Sequence, residues 1–137
     1  MLNLAGINPD TQLAKNFKLK ELMVLANGQW AVFSPQALVR IQKVRDSLGT
    51  PLYVNSGFRS PGYNASIDSA AKYSRHQYGD AVDVSTKGAT SLTQIIDACK
   101  AQGAYFTKLY DSHVHCDWRE LPLDAAIWQK GAREAGY

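Results

Sequence analysis

All three histidines of this 137-residue chain fall in two short segments. His76 stands in SRHQYGDAVDV, and His113 and His115 stand in DSHVHCDWR. Asp83, Asp111 and Asp117 share those segments, which sets these three carboxylates beside the three imidazoles within two stretches of chain. Zinc accepts imidazole nitrogen and carboxylate oxygen, and a catalytic zinc site takes three protein ligands and keeps one position for water. His76, Asp83 and His115 supply two imidazoles and one carboxylate. Gly79 lies between His76 and Asp83, and its backbone freedom lets a loop ending at His76 turn into a strand that carries Asp83 back to the same ion.

Strand geometry sorts the second segment. Side chains alternate between faces with period two, so His113, His115 and Asp117 share one face. Val114, Cys116 and Trp118 share the other, which is apolar and reads as the core face. The cysteine between the histidines therefore points away from them.

The elements that must position these groups are legible in part. Ser34 is a good N-cap and Pro35 suits the first helical position. Leu38, Ile41, Val44 and Leu48 recur on one face, and Gly49 ends the helix. Leu52 to Val54 and Ala81 to Val84 read as short strands. Ser91 caps a second helix with Leu92, Ile95, Ile96 and Cys99 on its apolar face, stopped by Gly103. Tyr105–Tyr110 and His113–Trp118 read as a hairpin turning at Asp111 and Ser112. Phe17–Leu25 is expected as a short helix, Leu123–Ala135 as a final one, and Met1–Asn16 as a loose polar arm ahead of a single domain over 17–137. Ser56–Tyr78 is rich in Gly, Ser, Asn and Tyr without periodicity, the mark of a functional loop. Helices, then strands, a helix and a hairpin predict an α+β fold with a small antiparallel sheet flanked by helices.

Composition removes several function classes. Hydrophobic residues are 45% and charged residues 20%, the mix of a folded globular domain. Fifteen Lys and Arg against twelve Asp and Glu give +3, with no basic stripe interleaved with aromatics, so nucleic-acid binding is not expected. Two cysteines without a CxxC pair exclude a cysteine zinc site and a disulfide framework. No apolar run approaches the roughly 20 residues of a membrane span. The first ten residues lack the charged start and apolar block of a signal peptide, so synthesis in the cytoplasm is expected. No Ser or Cys sits in a G-x-S-x-G-type nucleophile motif.

Ser74-x-His76-x-x-Gly79-x-Ala81-x-Asp83 resembles the first signature of the zinc D-alanyl-D-alanine carboxypeptidase and L-alanyl-D-glutamate endopeptidase family. Ser56-Gly57-Phe58-Arg59-Ser60-Pro61 with Asn64 resembles its SGxRSPxxN loop. His113-Val114-His115 resembles the H-x-H of the lysostaphin and hedgehog relatives, and His115-x-Asp117-x-Arg119 the ending of phage-type members. The likeness runs over roughly Phe17 to Arg119. It implies the hedgehog/D-Ala-D-Ala peptidase fold, one zinc held by His76, Asp83 and His115, and Arg59 on the substrate carboxylate or the developing oxyanion. It implies that metal-activated water hydrolyses a peptide bond in peptidoglycan stem peptides. Ser74 and Asp117 would orient ligands, and Tyr78 would help shape the cleft.

The general base stays open between two residues. The family carries an acidic residue commonly three positions before its third ligand, where this chain has Ser112; Asp111, one residue earlier, is the nearest carboxylate, and His113 competes with it. The resemblance also implies action on the bacterial cell wall, in the periplasm or outside the cell, with release by phage lysis as one route, and a monomer is expected. The rival reading is a non-catalytic zinc module of the hedgehog type, which keeps the metal and works through binding.

Overall fold

A computed structural model of the chain describes residues 2–3, 7–23, 30–31, 34–119 and 125–134. Two small ribbons precede the main body. β1 (Leu2–Asn3) pairs with β4 (Trp30–Ala31), and β2 (Gln12–Ala14) pairs with β3 (Phe17–Lys18), both antiparallel. Residues 12–16 are therefore not a loose arm. Leu13 and Ala14 pack on the core, and the Asn16 backbone N–H donates to the Gln42 side chain at 2.8 Å. The helix expected over Phe17–Leu25 is reduced to α1 (Leu19–Leu22), because Phe17 and Lys18 belong to the ribbon. Leu25 lies outside the described residues.

α2 (Pro35–Leu48) begins and ends as its residues dictate. The Ser34 hydroxyl accepts from the Ala37 backbone N–H, and Gly49 closes the helix in the left-handed region at φ 64°. Four strands form the main antiparallel sheet: β5 (Tyr53–Ser56), β6 (Ala81–Ser85), β7 (Phe106–Leu109) and β8 (Val114–Asp117), in the spatial order β5-β6-β8-β7. The fold is α+β, as expected.

The expected long loop from Ser56 to Tyr78 is not irregular throughout. It contains α3 (Pro61–Ser66), capped by Ser60, and a 3-10 turn over Arg75–Tyr78. α4 (Leu92–Ala101) carries a capping box in which Ser91 and Gln94 each bond the other's backbone N–H. α5 (Ala125–Glu134) falls within the predicted final helix, whose other residues lie outside those described.

Alternation along the strands divides the sheet into two functional faces. Val82, Val84, Val114 and Cys116 point to a core shared with Ile41 and Val44 of α2 and Ile95 and Cys99 of α4. All eight are buried, and burying each large aliphatic side chain contributes about 1.5–3 kcal/mol. The opposite face carries Asp83, paired directly with His115, and Lys108, paired with His115 from the other side. The helices thus hold the sheet from behind and leave its polar face open.

Candidate metal centre and cleft

The polar face of the sheet and the segment before β6 enclose a cleft of about 790 Å³. His76, on the 3-10 turn, reaches this face because Gly79 ends the turn at φ 72°, a left-handed conformation that returns the chain into β6. The His76 ring is buried. Its Nδ1 lies 2.8 Å from the Gly57 carbonyl. A carbonyl only accepts, so Nδ1 carries the proton and Nε2 presents its lone pair to the cleft. The Gly57 carbonyl is itself positioned by a close crossing: a Cβ on Gly57 would collide with the Leu22 carbonyl, and the Phe58 N–H donates to that carbonyl at 2.7 Å.

His115 is fixed in the complementary way. Its Nε2 donates to Asp117 Oδ2 at 3.1 Å, leaving Nδ1 facing inward. Asp117 is fully buried and is gripped by Arg119, with Nε to Oδ1 at 2.7 Å and Nη2 to Oδ2 at 2.6 Å. This chain of bonds sets both the tautomer and the orientation of the ring, as bound imidazoles require.

Three acceptors then converge. Asp83 Oδ1 is 3.1 Å from His76 Nε2 and 3.0 Å from His115 Nδ1, and the two nitrogens are 3.2 Å apart. With each outer ring nitrogen already donating elsewhere, neutral imidazoles bring only lone pairs to this point, beside a carboxylate. The arrangement calls for a cation at its centre.

With no metal bound, the same negative environment draws a proton onto His115 instead, which a metal ion would displace. Burial opposes charge on Asp83, but hydrogen bonds and positive charge from His115 and His76 hold its carboxyl well below the usual carboxylate range. Burial also opposes charge on His115, yet Asp117 and Asp83 push its pKa up to about 9. Asp117 is lowered to about 2, against the cost of burial, by hydrogen bonds from Arg119 and His115. His76, Asp83 and His115 form a group able to hold a metal ion. Tetrahedral ligands about 2.0–2.1 Å from an ion stand roughly 3.3 Å apart, close to the spacing seen here.

The other predicted residues separate into those on the cleft wall and those off it. Arg59 lines it, with Nη2 3.5 Å from Asp83 Oδ2 and Nε donating to Ser56 Oγ at 3.0 Å. Ser74 lines it too and caps the 3-10 turn, its carbonyl accepting from the Gln77 N–H. His113 lines it, with Nε2 3.9 Å from Asp83 Oδ2, its ring stacked on Tyr110 at 4.7 Å, and Nδ1 2.9 Å from Ser112 Oγ. Asp111 is exposed in the hairpin turn and is not on the cleft wall. Tyr78 is buried against the Arg75 guanidinium and does not shape the cleft; burial raises its pKa. Cys116 faces the core, as alternation predicts.

Sequence reasoning gave no role to Gly57, Ser112 or Lys108. Gly57 lies in the SGxRSP stretch, where a glycine before an arginine loop signals close backbone approach. Nothing local distinguishes Ser112 or Lys108, whose significance comes from strand pairing.

An α+β domain with a His-Asp-His group at the floor of a cleft is an arrangement able to hold a metal ion where a substrate could reach it. The sequence model of the peptidase M15 family matches residues 15–117. The chain belongs to that family, whose members are metallopeptidases that usually use zinc. Comparison with curated proteins finds no match.

Proposed function

We propose that the chain is a zinc peptidase hydrolysing a peptide bond in peptidoglycan stem peptides, acting on the bacterial cell wall as a D-Ala-D-Ala carboxypeptidase or an L-Ala-D-Glu endopeptidase, endolysins included. The observation that carries this reading is the convergence of His76 Nε2, Asp83 Oδ1 and His115 Nδ1, each within 3.2 Å of the others, on the floor of a peptide-sized cleft. Two nitrogens and one carboxylate oxygen are a donor set suited to zinc, which in catalytic sites takes three protein ligands and a water. Bound zinc would lower the pKa of water from 15.7 to about 7 and polarise the scissile carbonyl.

The chain's own residues supply the rest. His113 Nε2 opens to the cleft beside Asp83 and serves as general base, with Ser112 and Tyr110 fixing the ring. It then returns the proton to the departing amine. Arg59 offers a guanidinium, steadied by Ser56, to the negative charge that develops on the carbonyl oxygen or to a substrate carboxylate. Asp117 and Arg119 hold His115 in register. Asp111, turned into solvent, has no part in the proton transfer.

Incubation of the zinc-loaded protein with purified peptidoglycan, with and without a chelator, tests this reading. New amino groups that appear only with metal are expected. Full zinc occupancy without any released amine would contradict it and favour a binding module of the hedgehog type.

A further inference from the structure

Four cationic side chains line the cleft, against Asp83 as the sole carboxylate on its wall among the described residues. Three of the cations already face a carboxylate of the protein. Arg75 pairs with Asp80, Arg119 with Asp117, and Arg59 approaches Asp83. Lys108 has no carboxylate partner among the described residues. It stands on β7, directly opposite His115 in the ladder and on the same sheet face, so its stem rises beside the metal group. Its ammonium lies 4.9 Å from the centre of the Tyr110 ring, and that ring stacks on His113. The aromatic face keeps Lys108 at the cleft without neutralising it.

The geometry points to Lys108 as a specificity residue that binds a second carboxylate of the substrate, distinct from the group taken by Arg59. We infer a preference for peptides that carry a free internal carboxylate near the scissile bond over the same peptides with that group amidated. This inference rests on the peptidase reading above and adds the class of peptide. An ammonium meeting a carboxylate in a partly enclosed cleft gains a charge-assisted hydrogen bond, while the neutral amide keeps far less of it.

The probes are the synthetic stem peptide L-Ala-γ-D-Glu-L-Lys-D-Ala-D-Ala and its analogue with the D-Glu α-carboxyl converted to carboxamide. Binding of each to the zinc-loaded protein is measured by calorimetry, and hydrolysis by mass spectrometry. The acid should bind about five- to tenfold tighter than the amide, with the difference in kcat/KM appearing in KM. In Lys108→Gln the ratio should fall to near one, Lys108→Arg should restore it, and Lys108→Glu should invert it. Raising the salt concentration should shrink the wild-type ratio. Lys108 is exposed, so thermal unfolding should show all three variants folded. Equal affinity of the wild type for both peptides, or an unchanged ratio in Lys108→Gln, overturns the role of Lys108 and leaves the peptidase reading standing. Wild-type protein that binds with the expected ratio but cleaves neither peptide upholds Lys108 as the carboxylate anchor and contradicts the peptidase reading.

Discussion

At the residue scale, the two candidate bases separate by placement. His113 faces Asp83 across 3.9 Å, whereas Asp111, two residues earlier in the hairpin turn, is exposed and off the cleft wall. His113→Ala should keep its zinc and lose about 10²–10⁴-fold in turnover, while Asp111→Ala stays within a few-fold of wild type; steady-state kinetics with metal analysis reads both. The reverse ranking would return the base to Asp111. Asp117→Asn should weaken zinc affinity by about 10–100-fold, because a carboxamide no longer enforces the His115 tautomer. Competition against a chromogenic chelator measures that loss. The convergence of His76, Asp83 and His115 and the place of Arg59 on the cleft wall were legible because motif spacing and strand alternation constrain them. Which of Asp111 and His113 faces the cleft was not, since counting residues back from His115 through a hairpin turn says nothing of which way a turn side chain points.

At the element scale, short-range signals were readable wherever the element was long enough to repeat them. α2 and α4 show caps, apolar stripes and stops, and both match to within a residue or two. α3 and the 3-10 turn are only six and four residues long, too short for periodicity. Yet Ser60-Pro61 repeats the cap-and-proline signal of Ser34-Pro35, and that local cue marks α3. The β2–β3 ribbon was missed because three residues pairing with two leave no pattern to read. Ser34→Ala should cost about 1 kcal/mol of stability without touching the site, measurable by denaturant unfolding. Gly57→Ala should cost more, about 1–3 kcal/mol, since its Cβ meets the Leu22 carbonyl. It should also lower zinc affinity, because the displaced backbone carries the acceptor that fixes His76. A Gly57→Ala protein with wild-type melting and metal binding would show the crossing to be slack.

At the scale of the whole molecule, the metal group ties the loop before β6 to two neighbouring strands, so occupancy and folding are linked. Zinc at 100 times its dissociation constant should stabilise the fold by about 2.7 kcal/mol. For a domain of this size that raises the melting temperature by roughly 5–15 °C, and a chelator should reverse it. The chelated protein should also be sensitive to pH. His115 has its pKa raised from 6.5 to about 9 in the folded state, so its contribution is whole below pH 6.5 and is lost as pH climbs through 9. Asp117, lowered from 3.8 to about 2, contributes above its ordinary value and loses that as pH falls through 2. Melting temperature against pH for the chelated protein should therefore decline between about 6.5 and 9, and a flat profile there would show His115 to be uncoupled from its two carboxylates.

The central claim is that one zinc ion sits among His76, Asp83 and His115. Anomalous diffraction at the zinc edge, from a crystal of the zinc-loaded protein, tests it most directly. A single strong peak about 2.0–2.2 Å from His76 Nε2, His115 Nδ1 and an Asp83 carboxylate oxygen is the predicted result. A peak on other residues, or none at this position with zinc in excess, would contradict it.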